Sequence, residues 1–304
     1  MKIGTRGSEL ALWQARHVSR IIEESSDFRC ELVIIKTTGD MILSVPLSQV
    51  GGKGLFVKEI EEALLDRSVD IAVHSMKDVP AFLPDGLVLG AILKREDPRD
   101  ALVSNQFSSI DDLPAGSRIG TSSLRRIAQL KYFRSDLQFQ SLRGNVGTRL
   151  KKLDSGQVDA IILASAGLIR LGFSDRIRQF IPPSLSLPAV GQGALGLEFR
   201  REDHKVSKLL SSISDPDTTL CVQAERGVLS SLNGGCQVPL AAYAQITEGN
   251  RIEIVARVLD PEGSILLEEK VEGPMSQAHA LGLDAGNRLL ARGGKALLDA
   301  VPKH

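Results

Sequence analysis

The strongest constraint on the fold is an alternation of short β-like segments with segments of helical periodicity. Residues 30–35, 69–73 and 87–93 are short aliphatic runs, which are typical of buried strands. Residues 57–64 carry apolar side chains at helical spacing, and a second helix is predicted after Ser8. Strands that alternate with helices form βαβ units, so the pattern predicts an α/β protein with largely parallel sheets.

The alternation stops at a charged segment and then resumes. Residues 95–100 contain five charges and a proline, which indicates a hinge or linker. Further strands are predicted at 118–121, 137–142 and 158–163. The proline-rich residues 181–188 then break the pattern and are predicted to be a second linker.

The last third of the chain has a different pattern. A helix is predicted over 217–233, followed by strands at Arg251–Leu259 and Ser264–Lys270. The turn between these strands is predicted at 260–263, and a final helix near 276–292. This part of the chain is predicted to be a small α+β domain.

Composition excludes several classes of protein. Lys plus Arg and Asp plus Glu both number 37, whereas a protein that coats nucleic acid is usually basic. No apolar run is long enough to cross a membrane. Cys30, Cys221 and Cys236 are too few for a disulfide framework, and neither they nor the histidines have metal-ligand spacing. A structured pattern begins at Met1, so we expect no signal peptide and a cytoplasmic location.

A basic cluster in the middle of the chain indicates an anionic ligand. Nine basic residues and one acidic residue occur within 118–152. Several of the nine suit a solvated helix face, but Arg125, Arg126, Arg143 and Arg149 lie at predicted loop or helix N-terminal positions. Because arginine there pairs with carboxylate or phosphate through two hydrogen bonds, we expect these four to bind a small polyanion.

Two glycine-rich segments resemble nucleotide motifs without matching their context. Gly51-Gly52-Lys53-Gly54 lacks the Ser or Thr that follows the lysine of a Walker loop, so a mobile loop or flap is predicted. Gly191–Gly196 has the spacing of a dinucleotide fingerprint, but a proline-rich stretch precedes it and a strand-like run follows. A nicotinamide or flavin role is therefore not expected.

Two further residues suit a reaction. Residues 74–80 follow a predicted buried strand at its carboxyl end, where open α/β sheets bind ligands, and they include Asp78. Asp78 is equally compatible with an ion-paired surface acid. Cys236 lies in a predicted loop after a helix, where no depressed pKa is expected, so a turnover thiolate is not implied and a role as a covalent anchor stays open.

Taken together, the motifs resemble the porphobilinogen deaminase family. The resemblance extends over nearly the whole chain and rests on Thr5-Arg6-Gly7-Ser8, Ala11-Leu12-Trp13-Gln14, Val50–Phe56, His74–Pro80, Gly120–Arg126, Leu142–Arg149 and Gly234–Pro239. Seven motifs in the family's order are far more specific than any one of them.

The resemblance implies a three-domain transferase. Two doubly wound lobes similar to two-lobed periplasmic binding proteins would comprise residues 1–95 with a return segment 194–214, and residues 96–193. A small α+β domain, 216–304, would carry the cofactor-attachment loop. The cleft between the lobes would hold the active site.

The resemblance also implies the chemistry of tetrapyrrole and haem biosynthesis. A dipyrromethane cofactor would be attached through a thioether to Cys236. Four porphobilinogen molecules would be added head to tail with loss of ammonia, and hydrolysis would release hydroxymethylbilane. Asp78 would stabilise the positive charge that appears as ammonia leaves.

The remaining implied residues bind the carboxylates of the growing chain or shape the site. The implied carboxylate-binding residues are Arg6, Ser8, Ser75, Lys77, Thr121, Ser123, Arg125, Arg126, Arg143, Arg149 and Arg170. Lys53 and Phe56 would belong to a flexible loop, and Gln192 to the cleft. We expect no metal, membrane or nucleic-acid partner, a monomer, and transfer of the product to uroporphyrinogen-III synthase.

Two alternatives remain at this point. A non-catalytic anion-binding module explains the lobes and arginines but gives Asp78 and Cys236 no role. A nucleotide-dependent dehydrogenase depends on one misplaced glycine motif.

Overall fold

The computed structural model describes residues 1–41, 57–232 and 238–301. The predicted loop residues Lys53 and Phe56 and the predicted anchor Cys236 lie outside these ranges. The strands are β1 (Lys2–Arg6), β2 (Glu31–Ile35), β3 (Ile71–Ser75), β4 (Leu87–Ile92), β5 (Asp100–Val103), β6 (Arg118–Gly120), β7 (Gln138–Gln140), β8 (Ala160–Ala164), β9 (Gln179–Ile181), β10 (Leu195–Arg200), β11 (Leu240–Thr247), β12 (Arg251–Leu259) and β13 (Leu266–Pro274). The helices are α1 (Glu9–Ser25), α2 (Thr38–Met41), α3 (Lys58–Leu65), α4 (Leu124–Phe133), α5 (Val146–Asp154), α6 (Ser165–Arg170), α7 (His204–Ile213), α8 (Pro216–Ser231), α9 (Ala278–Ala291) and α10 (Gly294–Asp299).

Two five-stranded sheets of equivalent topology form two α/β lobes. The first has the order β2-β1-β3-β10-β4, and the second β7-β6-β8-β5-β9. Strand β10 is antiparallel to both of its neighbours, and so is β5. The α/β class is as predicted, but the sheets are mixed rather than largely parallel. The chain enters β5 and β10 from the other lobe, at the edge of each sheet where the parallel strands end. Each of these two strands must therefore run in the direction opposite to the parallel strands.

Helix starts follow the local chemistry of the sequence. The Ser8 hydroxyl accepts a hydrogen bond from the backbone N–H of Ala11 and caps α1. Asn145 caps α5 in the same way, through the N–H of Thr148 at 2.8 Å. Both side chains satisfy amide groups that a helix N-terminus leaves without partners.

Two extended segments connect the lobes. Residues 93–99 lead from β4 to β5, in the region of the first predicted linker. The prediction of a second linker at 181–188 is wrong, because Ser186 and Leu187 are buried and the Leu187 N–H donates to Gln129 Oε1 at 2.9 Å. The return connection lies just after it, at 189–194.

The glycines of the dinucleotide-like motif serve this return connection. Gly193 has a φ of +90°, and a Cβ there would lie 2.4 Å from the carbonyl oxygen of Glu96 in the outgoing connection. The motif leads into strand β10 rather than a helix, as its flanking residues predict. It therefore provides no helix N-terminus for a pyrophosphate, and the glycines instead allow the two connections to pass closely.

The third unit packs helices α8 and α9 against an antiparallel sheet of order β11-β12-β13. Strand β12 has the predicted bounds, and Cys221 is buried within α8 as expected. Strand β11 and helix α10 are absent from the sequence prediction. Strand β11 (LAAYAQIT) contains three alanines, which are depleted in strands, so its signal is weak. Cys30 precedes β2 instead of lying within it, and is half-buried.

Within the described residues, no helix is both long and apolar enough to span a membrane. No cluster of three or more metal-ligating side chains occurs in the same ranges.

Candidate active site

A cavity of about 170 Å³ lies where the two lobes meet the third unit. Its lining comprises Met76, Lys77, Asp78, Val79, Ser123, Arg125, Arg126, Ala189, Val190, Gln192, Leu229, Val238 and Leu240. The wall contributed by the third unit is apolar, whereas the two lobes contribute the charged groups. The structure thus brings six predicted site residues to one cavity.

Asp78 is held by the turn that ends β3. Residues Met76–Asp78 form a single 3₁₀ turn, and the Met76 N–H donates to the carbonyl of Ala194 at 3.0 Å. Met76 is buried below the turn, and Asp78 is half-buried at the cavity. The carboxylate therefore lies at the carboxyl end of a central strand, as predicted.

Lys77 lies beside Asp78, and its pKa is lower than that of an ordinary lysine. Burial lowers the pKa of the Lys77 ammonium to about 8, because the charged form loses hydration. The negative charges of Asp78 and Asp100 oppose this effect, and the positive charges of Arg126 and Arg125 add to it.

Arg125 and Arg126 begin α4 and are almost completely buried. Arg125 donates from Nη1 to Asp100 Oδ2 at 2.8 Å and from Nη2 to Asp100 Oδ1 at 3.1 Å. Arg126 donates from Nε to Asp100 Oδ1 at 2.9 Å. Asp100 therefore engages the fork of Arg125 within the protein, and the binding of an anionic ligand by both arginines stays a prediction.

Arg143 and Arg149 extend the positive charge away from the cavity. Arg149 Nε donates to the carbonyl of Gly144 at 2.8 Å. Burial, followed by the charges of Arg126 and Arg143, lowers the pKa of Arg149 to about 10. Neither arginine lines the cavity, but Arg149 is electrostatically coupled to both Arg126 and Arg143, which places the three in one basic region.

Arg170 lies at a second, smaller cavity that shares Lys77 with the first. This cavity is also lined by Gln14 and Ser75, whose side chains are hydrogen-bonded at 2.9 Å. Arg170 Nη2 donates to the carbonyl of Gly193 at 2.7 Å. Ser75, Lys77 and Arg170 are thus brought together between the lobes.

Besides Arg143 and Arg149, three further predicted binding residues line neither cavity. The Ser8 hydroxyl is engaged as the cap of α1, and Arg6 ends β1. Thr121 is buried, and its hydroxyl accepts from the Ser123 N–H at 3.3 Å. Thr121 therefore shapes the start of α4 instead of facing the cavity.

Sequence reasoning missed Asp100 and the apolar wall. Asp100 was assigned to a linker, because nothing in its neighbourhood shows that the chain buries it beside two arginines. Leu229 and Leu240 resemble ordinary core residues, and only their placement reveals a cavity.

Comparison with known proteins decides the family. Residues 1–208 match the family model "Porphobilinogen deaminase, dipyromethane cofactor binding domain", and residues 219–291 match "Porphobilinogen deaminase, C-terminal domain". The chain belongs to the porphobilinogen deaminase family. A porphobilinogen deaminase of Syntrophobacter fumaroxidans is 50% identical over 302 residues, which cover 99% of this chain and 97% of that protein. The predicted tetrapyrrole-forming function and dipyrromethane cofactor are those of this family.

Solved structures with related folds have much lower identity. A periplasmic substrate-binding protein of an ABC transporter from Coxiella burnetii is 14% identical, with a TM-score of 0.45 over 72% of this chain and 94% of that chain. A putative methionine-binding lipoprotein from Bacillus subtilis is 13% identical, with a TM-score of 0.43 over 70% and 89%.

The cavity has donors that fit the family's cofactor. A dipyrromethane carries carboxylates and pyrrole N–H groups. Lys77, Arg125 and Arg126 supply cations, and Asp78 supplies an acceptor. The apolar side chains of the third unit suit the faces of the rings.

Proposed function

We propose that this chain adds four porphobilinogen molecules head to tail to a dipyrromethane attached through Cys236, and then releases hydroxymethylbilane by hydrolysis. The observation that carries the proposal is the meeting of Asp78, Lys77, Arg125 and Arg126 at one cavity between the lobes. The bound dipyrromethane supplies the free pyrrole carbon to which the first new ring is joined, and each later ring is joined to the ring added before it.

Asp78 is the catalytic residue. In each addition, the bond between the aminomethyl carbon and nitrogen of porphobilinogen breaks, and that carbon bonds to the terminal pyrrole. The pyrrole loses one proton, and the released amine leaves as ammonium. A carboxylate at Asp78 accepts the substrate's pyrrole N–H and stabilises the positive charge that develops on the ring.

The basic residues hold the carboxylates of the rings. Each porphobilinogen carries an acetate and a propionate, and a buried carboxylate is costly unless it is paired. Lys77, Ser123, Arg125 and Arg126 act at the cavity, where Gln192 is a cleft residue. The proposed outer residues are Arg6, Ser8, Ser75, Thr121, Arg143, Arg149 and Arg170. The cavity is smaller than sites for drug-sized ligands, so a lengthening chain needs additional space between the lobes.

We also propose a monomeric, cytoplasmic protein whose product is taken up by uroporphyrinogen-III synthase. Both cysteines in the described ranges are free, which is compatible with a reducing compartment. The hydroxyl of the product's hydroxymethyl group is readily lost as water, and the remaining carbon can then close the ring, so we expect a ring-closing enzyme to consume the product.

Intact-protein mass spectrometry tests the proposal directly. Purified wild type should carry an adduct of about two substrate masses less the ammonia lost, and porphobilinogen should add further single-ring increments. Cys236→Ser should carry no thioether adduct, whereas the control Cys30→Ser should carry the full adduct. A wild type without an adduct, or a fully loaded and active Cys236→Ser, contradicts the proposal.

A further inference from the structure

Asp100 is a buried carboxylate to which the proposed reaction assigns no role. It is the first residue of β5, and its backbone pairs in register with Ala164 on one side and Ile181 on the other. Its exposure is 0%. Because both neighbouring strands hold it at the edge of the sheet that faces the other lobe, Asp100 is a rigidly placed negative charge behind the cavity.

Four side chains converge on this carboxylate. Besides Arg125 and Arg126, the Ser186 hydroxyl donates to Oδ2 at 2.8 Å and Gln192 Nε2 donates to Oδ1 at 2.9 Å. Arginine and glutamine pairing together hold the pKa of Asp100 well below its usual range despite burial. Asp100 is therefore ionised throughout the physiological pH range.

The remaining guanidinium bonds restrict both arginines further. Arg125 Nη1 also donates to the carbonyl of Leu187 at 2.6 Å, and Arg126 Nη1 donates to the carbonyl of Ile162 at 3.0 Å. A guanidinium has five N–H groups, so each arginine retains an N–H beyond the bonds that the described residues provide. Both side chains line the cavity, where such an N–H can meet a carboxylate.

The charges also explain why a carboxylate is needed at this place. Two adjacent buried guanidiniums repel each other and have lost hydration, so they would turn toward solvent or separate without a counter-charge. One shared carboxylate leaves a single net positive charge. The two arginines therefore still attract an anion, while their hydrogen bonds to Asp100 and to backbone carbonyls fix their orientation.

We propose that Asp100 is a positioning residue, which orients Arg125 and Arg126 so that their remaining N–H groups meet a carboxylate of the substrate or of the growing chain. This inference rests on the proposed role of the two arginines in carboxylate binding. It gives Ser186 a supporting role, since its hydroxyl holds one oxygen of Asp100.

Steady-state kinetics of Asp100→Asn, Arg126→Gln and the double variant test the proposal. Asp100→Asn should raise the KM for porphobilinogen about tenfold or more, with kcat changed by less than about threefold, because binding geometry is lost and Asp78 is untouched. Because Asp100 orients both arginines, the double variant should raise the KM by less than the product of the increases in the two single variants.

Glu198→Gln is a matched control for the loss of a buried carboxylate. Glu198 is completely buried and pairs with His74 at 2.8 Å, outside the cavity. This variant should lower the melting temperature and leave the KM unchanged. Ser186→Ala removes one hydrogen bond and no charge, so it should fold even if Asp100→Asn does not. We expect its KM to be two- to fivefold higher than that of wild type, because one bond to a charged group is lost.

Each result separates this inference from the proposed function. An unchanged or lowered KM in folded Asp100→Asn overturns the positioning role, as do fully additive effects with Arg126→Gln. If Asp100→Asn does not fold, an unchanged KM in Ser186→Ala overturns it. If Arg126→Gln and Arg125→Gln themselves leave the KM unchanged, the carboxylate-binding part of the proposed function fails instead.

Discussion

The guanidinium of Arg170 in the second lobe lies over the indole ring of Trp13 in the first, with its central carbon 5.8 Å from the ring centroid. The other neighbour of the indole ring is His17, stacked at 5.1 Å. Trp13 is the single tryptophan of the chain. A cation–π contact of this kind is sensitive to separation, so one intrinsic fluorophore reports the spacing of the lobes.

The first prediction concerns this contact. Arg170→Gln should shift tryptophan emission to longer wavelength, because the indole loses its cover and meets more water. Porphobilinogen should change the emission of wild type if Arg170 leaves Trp13 for substrate carboxylates, and this change should be absent in Arg170→Gln. Arg176→Gln, which alters a half-buried arginine paired with Asp154, is the control. Identical spectra for wild type and Arg170→Gln would contradict the prediction.

The second prediction concerns the attachment of the lobe connections to the third unit. Glu225 of α8 is completely buried and accepts from Arg95 at 2.6 Å, from the Gly191 N–H at 2.6 Å and from the Ala244 N–H at 3.0 Å. Glu225→Ala removes the carboxylate that pairs with a buried arginine and accepts from two amides, so we expect a loss of about 3–5 kcal/mol in the free energy of unfolding.

Denaturant unfolding measures this effect. The exposed pair between Arg67 and Glu202 provides the comparison, and Glu202→Ala should cost less than about 1 kcal/mol because water solvates and screens both charges. Equal losses for Glu225→Ala and Glu202→Ala would show that the buried pair does not hold the three units together.

The third prediction concerns Asp78. Asp78→Asn should reduce turnover roughly 10²–10⁴-fold, because an amide cannot offset the charge that develops as ammonia leaves. Asp78→Glu keeps the charge about one methylene away and should retain measurable activity. The exposed carboxylate of Asp85 supplies the control Asp85→Asn. Turnover by Asp78→Asn within a few-fold of wild type would assign the catalytic charge to another group.

The fourth prediction follows from the lowered pKa of Lys77, which is about 8. Lys77 is positively charged below that pH and neutral above it. If its ammonium binds a substrate carboxylate, the KM for porphobilinogen should rise as pH increases from about 7 to 9, whereas Lys77→Arg remains charged throughout. The ratio of the KM values of wild type and Lys77→Arg should therefore rise with pH. A constant ratio would exclude a binding role for the Lys77 charge.

Local features of the fold were predictable because they depend on near neighbours. Ser8 and Asn145 cap helices through bonds to residues three positions on, and β12 follows from its own alternation and the turn that ends it. The family was predictable for a different reason, since long motifs in a conserved order identify it without any knowledge of their spatial arrangement.

The antiparallel strands were not predictable from local pattern. A strand's own residues carry no record of its direction in a sheet, and β5 and β10 run antiparallel only because the chain crosses between lobes before each of them. The residues before Leu187 resembled a linker because they are rich in proline, although Ile181 and Ser186 are buried within the second lobe.

The sequence alone established which chemical groups this protein possesses: a carboxylate after a buried strand, arginines clustered within residues 118–152 and a cysteine at position 236. Only the tertiary structure decided how those groups are engaged. Asp100 and Arg125 are 25 residues apart, and their bonds arise from the meeting of β5 with α4. Burial makes that pairing obligatory, because a charge removed from water must find its partner within the fold.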